Sequence, residues 1–284
     1  MHKIKTAEIF YSLQGEGKWA GVPSVFLRTF GCNFQCRGFG LPKGQATDEP
    51  ELIARDIDKY AEYDDLPLVE FGCDSYASWH PKFKKLSPVM TTEDINTRCN
   101  ELIPNGRWDD VHLVITGGEP LLGWQRAYPE LIDQARSNGL RDITFETNGT
   151  QELHSDFHDY LWEEFTRSGR DSDRLTWSIS AKLPCSGESW EDTIKPDVVK
   201  SYEMLGFAYL KFVVGTEDDV EDVDRAVAEY RDAGFGGPVY LMPVGGEPSV
   251  YHLHTDRVAE LAMKKGYRYS PRLQVDIWKN AWGT

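Results

Sequence analysis

Short apolar stretches recur along the chain, each closing on small or polar residues and most followed by apolar residues at helical spacing. This alternation constrains the fold more than any other feature. Residues 111–116, 142–146, 175–180, 209–214 and 239–243 read as strands, while 92–102, 124–138, 218–233 and 255–265 carry apolar residues three and four apart. The helix at 92–102 opens on a Thr-Thr-Glu-Asp cap signal, and those at 124–138 and 218–233 stop at Gly139 and Gly234. Such alternation builds parallel βαβ units, which gives an α/β, barrel-like fold with helices outside and polar residues gathered on the rim where the strands end. Upstream, 24–30 reads as a strand, 8–21 as a turn-rich segment and 51–63 as a helix; a last strand is expected at 272–277. No repeat or low-complexity linker divides the chain, so 1–284 is read as one domain.

Composition narrows the class of partner. The formal net charge is -15, where a binder of phosphate backbones normally carries a basic face, so nucleic acid is not expected as a direct partner. No apolar run approaches about 18 residues, which speaks against a membrane span. The first nine residues, MHKIKTAEI, lack a signal-peptide core, so a cytoplasmic protein is expected. The five cysteines are odd in number and do not look like a disulfide framework.

Cys32 and Cys36 sit in VFLRTFGCNFQC, on the loop after an apolar strand, and Cys73 lies far downstream. A C-x3-C pair in that place suits the start of an iron–sulfur loop, with Cys73 supplying a third thiolate from beyond the intervening helix. The alternatives are core cysteines without a metal, and a structural zinc site with His80 as fourth ligand. Cys99 and Cys185 are read as non-ligands, and Tyr76, Trp79 and Trp278 as packing residues.

Other candidates follow from residue chemistry. Gly117, Gly118 and Glu119, in the GGEP turn, suit close approach of a ligand with an ammonium group. Gln14 and Glu16, in QGEG, suit recognition of a heterocycle edge. Arg28 stands amid apolar residues and needs a carboxylate, from a substrate or from within the protein. The Ser75 hydroxyl suits magnesium.

Taken together, EIFYSLQGEG, GVPSVFLRTFGCNFQC, CDSYASW, VITGGEPLL, FETNGT, SISAK, LMPV and PRLQ make the chain resemble the 7-carboxy-7-deazaguanine synthases, radical-SAM enzymes of queuosine and deazapurine biosynthesis. The wording CNFQCRGFGLPKG is similar to bacteriophage-borne copies. The family places its third cysteine three residues after the second, where Phe39 stands here; Cys73-Asp74-Ser75 with Trp79 matches the family's words around that cysteine, so the motif reads as split by an inserted helical segment, 37–72. The resemblance implies an incomplete TIM-like barrel and a lyase that contracts the ring of 6-carboxy-5,6,7,8-tetrahydropterin with loss of ammonia. It implies a [4Fe-4S] cluster on Cys32, Cys36 and Cys73, S-adenosylmethionine, and Mg2+ at Ser75. Substrate would meet Leu13, Gln14, Gly15, Arg28 and Thr116, with Glu16 and Glu146 at the reacting ring. The cofactor would meet Gly72, Cys73, Asp74, Gly118, Ser180, Ala181 and Lys182, and also Met242, Pro243, Val244 and Gly245, where the family usually has Gln-Pro. A flavodoxin-like electron donor and a homodimer are implied as well. Two other classes stay open: an activase that places a glycyl radical on a partner protein, and a cluster-free descendant that binds a pterin or a protein.

Overall fold

The computed structural model describes residues 1–167 and 174–284. Among the described residues nine strands form one sheet: β1 (Lys3–Leu13), β2 (Pro23–Thr29), β3 (Val89–Thr91), β4 (His112–Gly117), β5 (Ile143–Thr147), β6 (Leu175–Ile179), β7 (Phe207–Val214), β8 (Val239–Pro243) and β9 (Arg268–Tyr269). The spatial order is β3-β1-β2-β4-β5-β6-β7-β8-β9. β1 pairs antiparallel with β2 and β3, and every pairing from β2 through β9 is parallel. The sheet stays open, with β3 and β9 as its edges. Its ends nevertheless meet at the rim, where the Leu273 amide donates to the Gly15 carbonyl at 3.1 Å. The result is the incomplete barrel expected.

The helices are α1 (Glu49–Arg55), α2 (Thr92–Leu102), α3 (Tyr128–Ser137), α4 (Ser155–Leu161), α5 (Trp190–Thr193), α6 (Pro196–Glu203), α7 (Glu217–Asp232), α8 (Pro248–Tyr251), α9 (Thr255–Lys265) and α10 (Leu273–Trp278). Among the described residues, no helix is long and apolar enough to cross a membrane.

A period of two governs the strands. Val25, Leu27, Leu113, Ile115, Ile143, Phe145, Trp177, Leu210, Phe212 and Leu241 face outward into one large core shared with the helices. The alternate residues face the barrel interior. Near its floor, His112 bonds Ser24 Oγ at 3.2 Å and Thr144 Oγ1 at 2.8 Å, and the Trp19 indole donates to Thr176 at 3.1 Å. Burial holds that imidazole neutral, with its pKa lowered to about 3. Phe10 and Phe26 stack at 4.8 Å above this layer, against Val114. Charged and polar residues then occupy the upper end of the barrel.

Two expectations about elements fail. Residues 8–13 are not turn-rich; they complete the eleven-residue strand β1, whose polar alternation is matched by antiparallel pairing along β2. Residues 272–277 form no strand; Leu273–Trp278 is helix α10, ended by Lys279 at φ 56°. Leu273, Val275 and Ile277 mimic a period of two, but Val275 is buried and Ile277 exposed, as helical spacing requires. The helix expected at 51–63 is α1 followed by a 3-10 turn, Ile57–Lys59. These residues join Tyr63, Leu66, Val69, Tyr76 and Phe83 in a second small core.

Trp177 is fully buried and stacks on Phe145 at 5.0 Å and on Tyr202 at 4.6 Å. Trp177→Ala should lower the unfolding free energy by about 3–5 kcal/mol in urea titration. A loss under about 1 kcal/mol would contradict this packing.

Candidate functional site

One cavity opens at the C-terminal ends of the parallel strands, and Cys32, Cys36 and Cys73 all line it. Cys32 and Cys36 arrive directly from β2. The Gly31 amide donates to the Ser78 carbonyl at 2.8 Å, and the Gly31 carbonyl accepts from the Glu119 amide at 2.7 Å, so the loop is gripped from both sides. Cys73 returns because the stretch between Cys36 and Cys73 is pinched at its base. The Thr47 amide donates to Arg37 O at 2.9 Å and the Gly72 amide to Phe39 O at 2.8 Å. Glu49, at the head of α1, accepts from the Glu70 and Phe71 amides at 2.8 and 3.2 Å.

The donor set fits an iron–sulfur cluster. Burial pushes the Cys32 thiol up to about 12 and the Cys73 thiol up to about 11, and Cys36 goes well above its usual value. Cys73 adds a further upward push to both partners, and Lys182 is the cation that opposes the rise in all three. Buried thiols so close together ionise readily only when a metal supplies the missing positive charge. The Trp79 indole N–H is buried without a conventional acceptor, yet lies close enough to favour the Cys73 thiolate. Among the described residues no three His, Cys, Asp or Glu groups could grip a single ion. A four-iron cube is held at separate corners and needs no such tight group. His80 caps Lys82 and pairs with Glu51 at 3.2 Å away from the cavity, so it does not complete a zinc site. Cys99 lies in the core and Cys185 donates to Val213 O at 3.6 Å; neither lines the cavity.

Elsewhere in the cavity wall the side chains are charged and almost fully paired. Arg28 Nε meets Glu8 at 2.8 Å, and Arg28 Nη1 donates to Ser75 Oγ at 3.1 Å; that hydroxyl donates to Asp74 at 3.1 Å. The carboxylate that Arg28 requires is therefore internal. Asp74 also binds Arg272, which reaches the Gly245 carbonyl and stands 3.4 Å from Glu16. Glu16 pairs with Lys211 and accepts from Gln274 at 2.7 Å. Burial alone would raise the Glu16 carboxyl, but Lys211 and Arg272 outweigh it and hold the carboxyl below its usual value. The same balance, with Arg272 and Arg28, keeps Asp74 low. Gln14 donates to Glu146 at 3.1 Å.

Most of the residues singled out from the sequence converge here: Leu13, Gln14, Gly15, Glu16, Arg28, Gly72, Asp74, Ser75, Thr116, Gly117, Gly118, Glu146, Ser180, Lys182, Met242, Val244 and Gly245 line the same cavity. Three do not. Pro243 ends β8 in the outward phase, between the cavity-lining Met242 and Val244, and Ala181, just past the end of β6, is buried between the cavity-lining Ser180 and Lys182. Glu119 is fully buried, and its carboxylate is consumed by the Asn148 and Leu121 amides at 2.7 and 3.0 Å and the Thr147 hydroxyl at 2.8 Å. The GGEP glycines also serve packing: a Cβ on Gly118 would meet Gly31 O at 2.3 Å. Phe39 lies under the Lys182 ammonium at 5.8 Å.

Sequence reasoning missed Glu8, Lys211, Arg272 and Gln274. Lys211 carried a signal: a lysine inside the apolar run YLKFVV, in phase with the inward-facing Tyr209 and Val213, raises the same question as Arg28.

An open parallel barrel with three cysteines at its C-terminal rim, Cys36 buried and Cys32 and Cys73 half-buried, has the arrangement of a radical-SAM enzyme. No family model matches the chain. A 7-carboxy-7-deazaguanine synthase of Halobacterium salinarum is 33% identical, covering 96% of this chain and 90% of that protein. The synthase of Rhodopirellula baltica is 30% identical over 98% of this chain and 88% of its own length. That of Pyrobaculum aerophilum is 29% identical over 99% and 97%. The crystal structure of QueE from Escherichia coli has the same fold, with a TM-score of 0.55 at 20% identity, covering 94% of this chain and 93% of that one. The chain belongs to the 7-carboxy-7-deazaguanine synthase family.

Burial raises the Glu119 carboxyl from 4.5 to about 7, against the bonds from Asn148, Leu121 and Thr147. A carboxyl raised on folding stabilises the native state most below pH 4.5 and loses that contribution as pH climbs through 7. The apoprotein should therefore lose roughly 3 kcal/mol relative to Glu119→Gln across that range, read from urea unfolding at each pH. Parallel curves for the two proteins would contradict the assignment.

Proposed function

We propose that this chain converts 6-carboxy-5,6,7,8-tetrahydropterin to 7-carboxy-7-deazaguanine with loss of ammonia. The observation that carries the reading is the convergence of cysteines from two distant stretches with a paired, buried set of charges in one cavity. Cys32, Cys36 and Cys73 would hold a [4Fe-4S] cluster, and Gly72, Asp74, Gly118, Ser180, Lys182, Met242, Val244 and Gly245 would surround S-adenosylmethionine. When bound, these groups supply the means to take one hydrogen atom from carbon and give it back.

The rest is positioning by the chain itself. Lys211 and Arg272 keep Glu16 ionised, ready to accept N–H groups from the heterocycle. Gln14 and Glu146, already bonded to each other, offer an amide and a carboxylate to the same ring. Leu13 and Gly15 lend backbone groups, and Thr116 lends a hydroxyl. Phe10 and Phe26 give the pocket an apolar, water-excluding floor. On the carboxylate side stand Arg28 and Ser75. Magnesium keeps most of its waters and takes one or two protein oxygens, so Ser75 would suffice as its protein ligand, with Asp74 and Glu8 offsetting the Arg28 charge. The family resemblance adds a flavodoxin-like electron donor, a homodimer and a cytoplasmic setting to the proposal.

Anaerobically reconstituted protein, given S-adenosylmethionine, magnesium and a reductant, should form 7-carboxy-7-deazaguanine and ammonia in equal amounts. Gln14→Ala should lower kcat/KM by roughly ten- to a hundredfold, the loss of one or two polar contacts to substrate. Protein with a full cluster and no product, measured by chromatography, would refute the proposal.

A further inference from the structure

The split motif leaves the first two cysteines on a loop that its own sequence does not close. A group from elsewhere takes up its backbone. Glu188 Oε1 accepts from the Gln35 amide at 2.9 Å and from the Cys36 amide at 2.8 Å. Cys36 sits at φ 51°, in the left-handed region that a residue with a side chain enters at a cost. Something must therefore hold it there.

The loop carrying Glu188 is built to reach it. A 3-10 turn, Pro184–Ser186, ends at Gly187 with φ 87°, and the Glu188 amide donates to Ser186 Oγ at 3.2 Å. The two loops touch through their backbones. The Gly38 amide donates to Ser186 O at 2.9 Å, and a Cβ on Gly38 would meet Cys185 O and Gly187 N, both at 2.8 Å. The contact closes the loop just after Cys36, before the inserted segment departs.

We propose that Glu188 is a positioning residue for the cluster loop, fixing Cys36 in its ligating conformation and setting a negative charge beside the cluster. The proposal rests on the cluster reading above. Both carboxylate bonds go to main-chain N–H groups, so those amides are not available to cluster sulfurs. Hydrogen bonds to sulfur and nearby charge are the protein's main controls on cluster potential. Glu188 acts on both in the same direction, toward a more negative potential.

Two variants and an apoprotein measurement test this. In apoprotein, Glu188→Ala should speed hydrogen exchange at the Gln35 and Cys36 amides on the order of tenfold, and after anaerobic reconstitution it should hold less iron than wild type. Glu188→Gln keeps an oxygen acceptor without the charge. It should hold wild-type iron with its midpoint potential moved to a less negative value. Circular dichroism identifies any variant that has lost its fold, and Glu188→Gln then carries the test. Unchanged exchange together with unchanged iron in Glu188→Ala would overturn the proposal, as would an unchanged midpoint in Glu188→Gln. If wild-type protein itself takes up no iron, the cluster reading fails, while the exchange measurement still decides whether Glu188 holds the loop.

Discussion

The Gly72 amide donates to the Phe39 carbonyl at 2.8 Å, and there the chain that left the cysteine loop rejoins it. Every functional statement about this protein depends on that closure. Without it Cys73 has no reason to stand beside Cys32 and Cys36. With it, residues 40–71 form an excursion whose ends return to nearly the same point and whose apolar residues pack with Tyr76, Phe83 and Trp282, the Trp282 indole donating to Leu66 O at 2.9 Å. The cost of closing a loop grows only slowly with its length, so an excursion of this size is tolerated when its base is bonded and its interior has a small core.

The second requirement is electrostatic. Glu8, Glu16, Asp74 and Glu146 meet Arg28, Lys211 and Arg272 in a space largely withdrawn from water. Removing one member of a buried pair leaves an uncompensated charge and costs about 3–5 kcal/mol. The network also links three separate stretches: the QGEG turn after β1, the Cys73 loop and the segment leading into α10. On the proposed reading, substrate recognition and cluster holding would share one framework, because Asp74 lies next to Cys73 in sequence and pairs with Arg272 in space.

Much of this was legible in the residues. The parallel strands β4 to β8 and the helices α2, α3, α7 and α9 announce themselves by period, because each buries one face against a common core. The cavity residues on strand ends were legible for the same reason. Period of two also explains the miss at Pro243, which lies one position out of phase. Glu119 was misread because a carboxylate beside two glycines has the same appearance in sequence whether it faces a ligand or caps a neighbouring turn. Arg272 and Gln274 lie in a stretch whose alternation suggested a strand, and only tertiary contact with Gly15 and Glu16 shows their part. Glu188 left no mark at all: its partners are backbone amides, which every sequence has.

On the proposed reading, Cys73 completes the ligand set begun by Cys32 and Cys36. The most direct measurement is the electron paramagnetic resonance spectrum of reduced, anaerobically reconstituted Cys73→Ala, with iron and sulfide counted, beside wild type and Cys99→Ala. A four-iron signal is expected in wild type and Cys99→Ala and its loss in Cys73→Ala, all with the same far-ultraviolet circular dichroism. A wild-type four-iron signal in Cys73→Ala would contradict the reading.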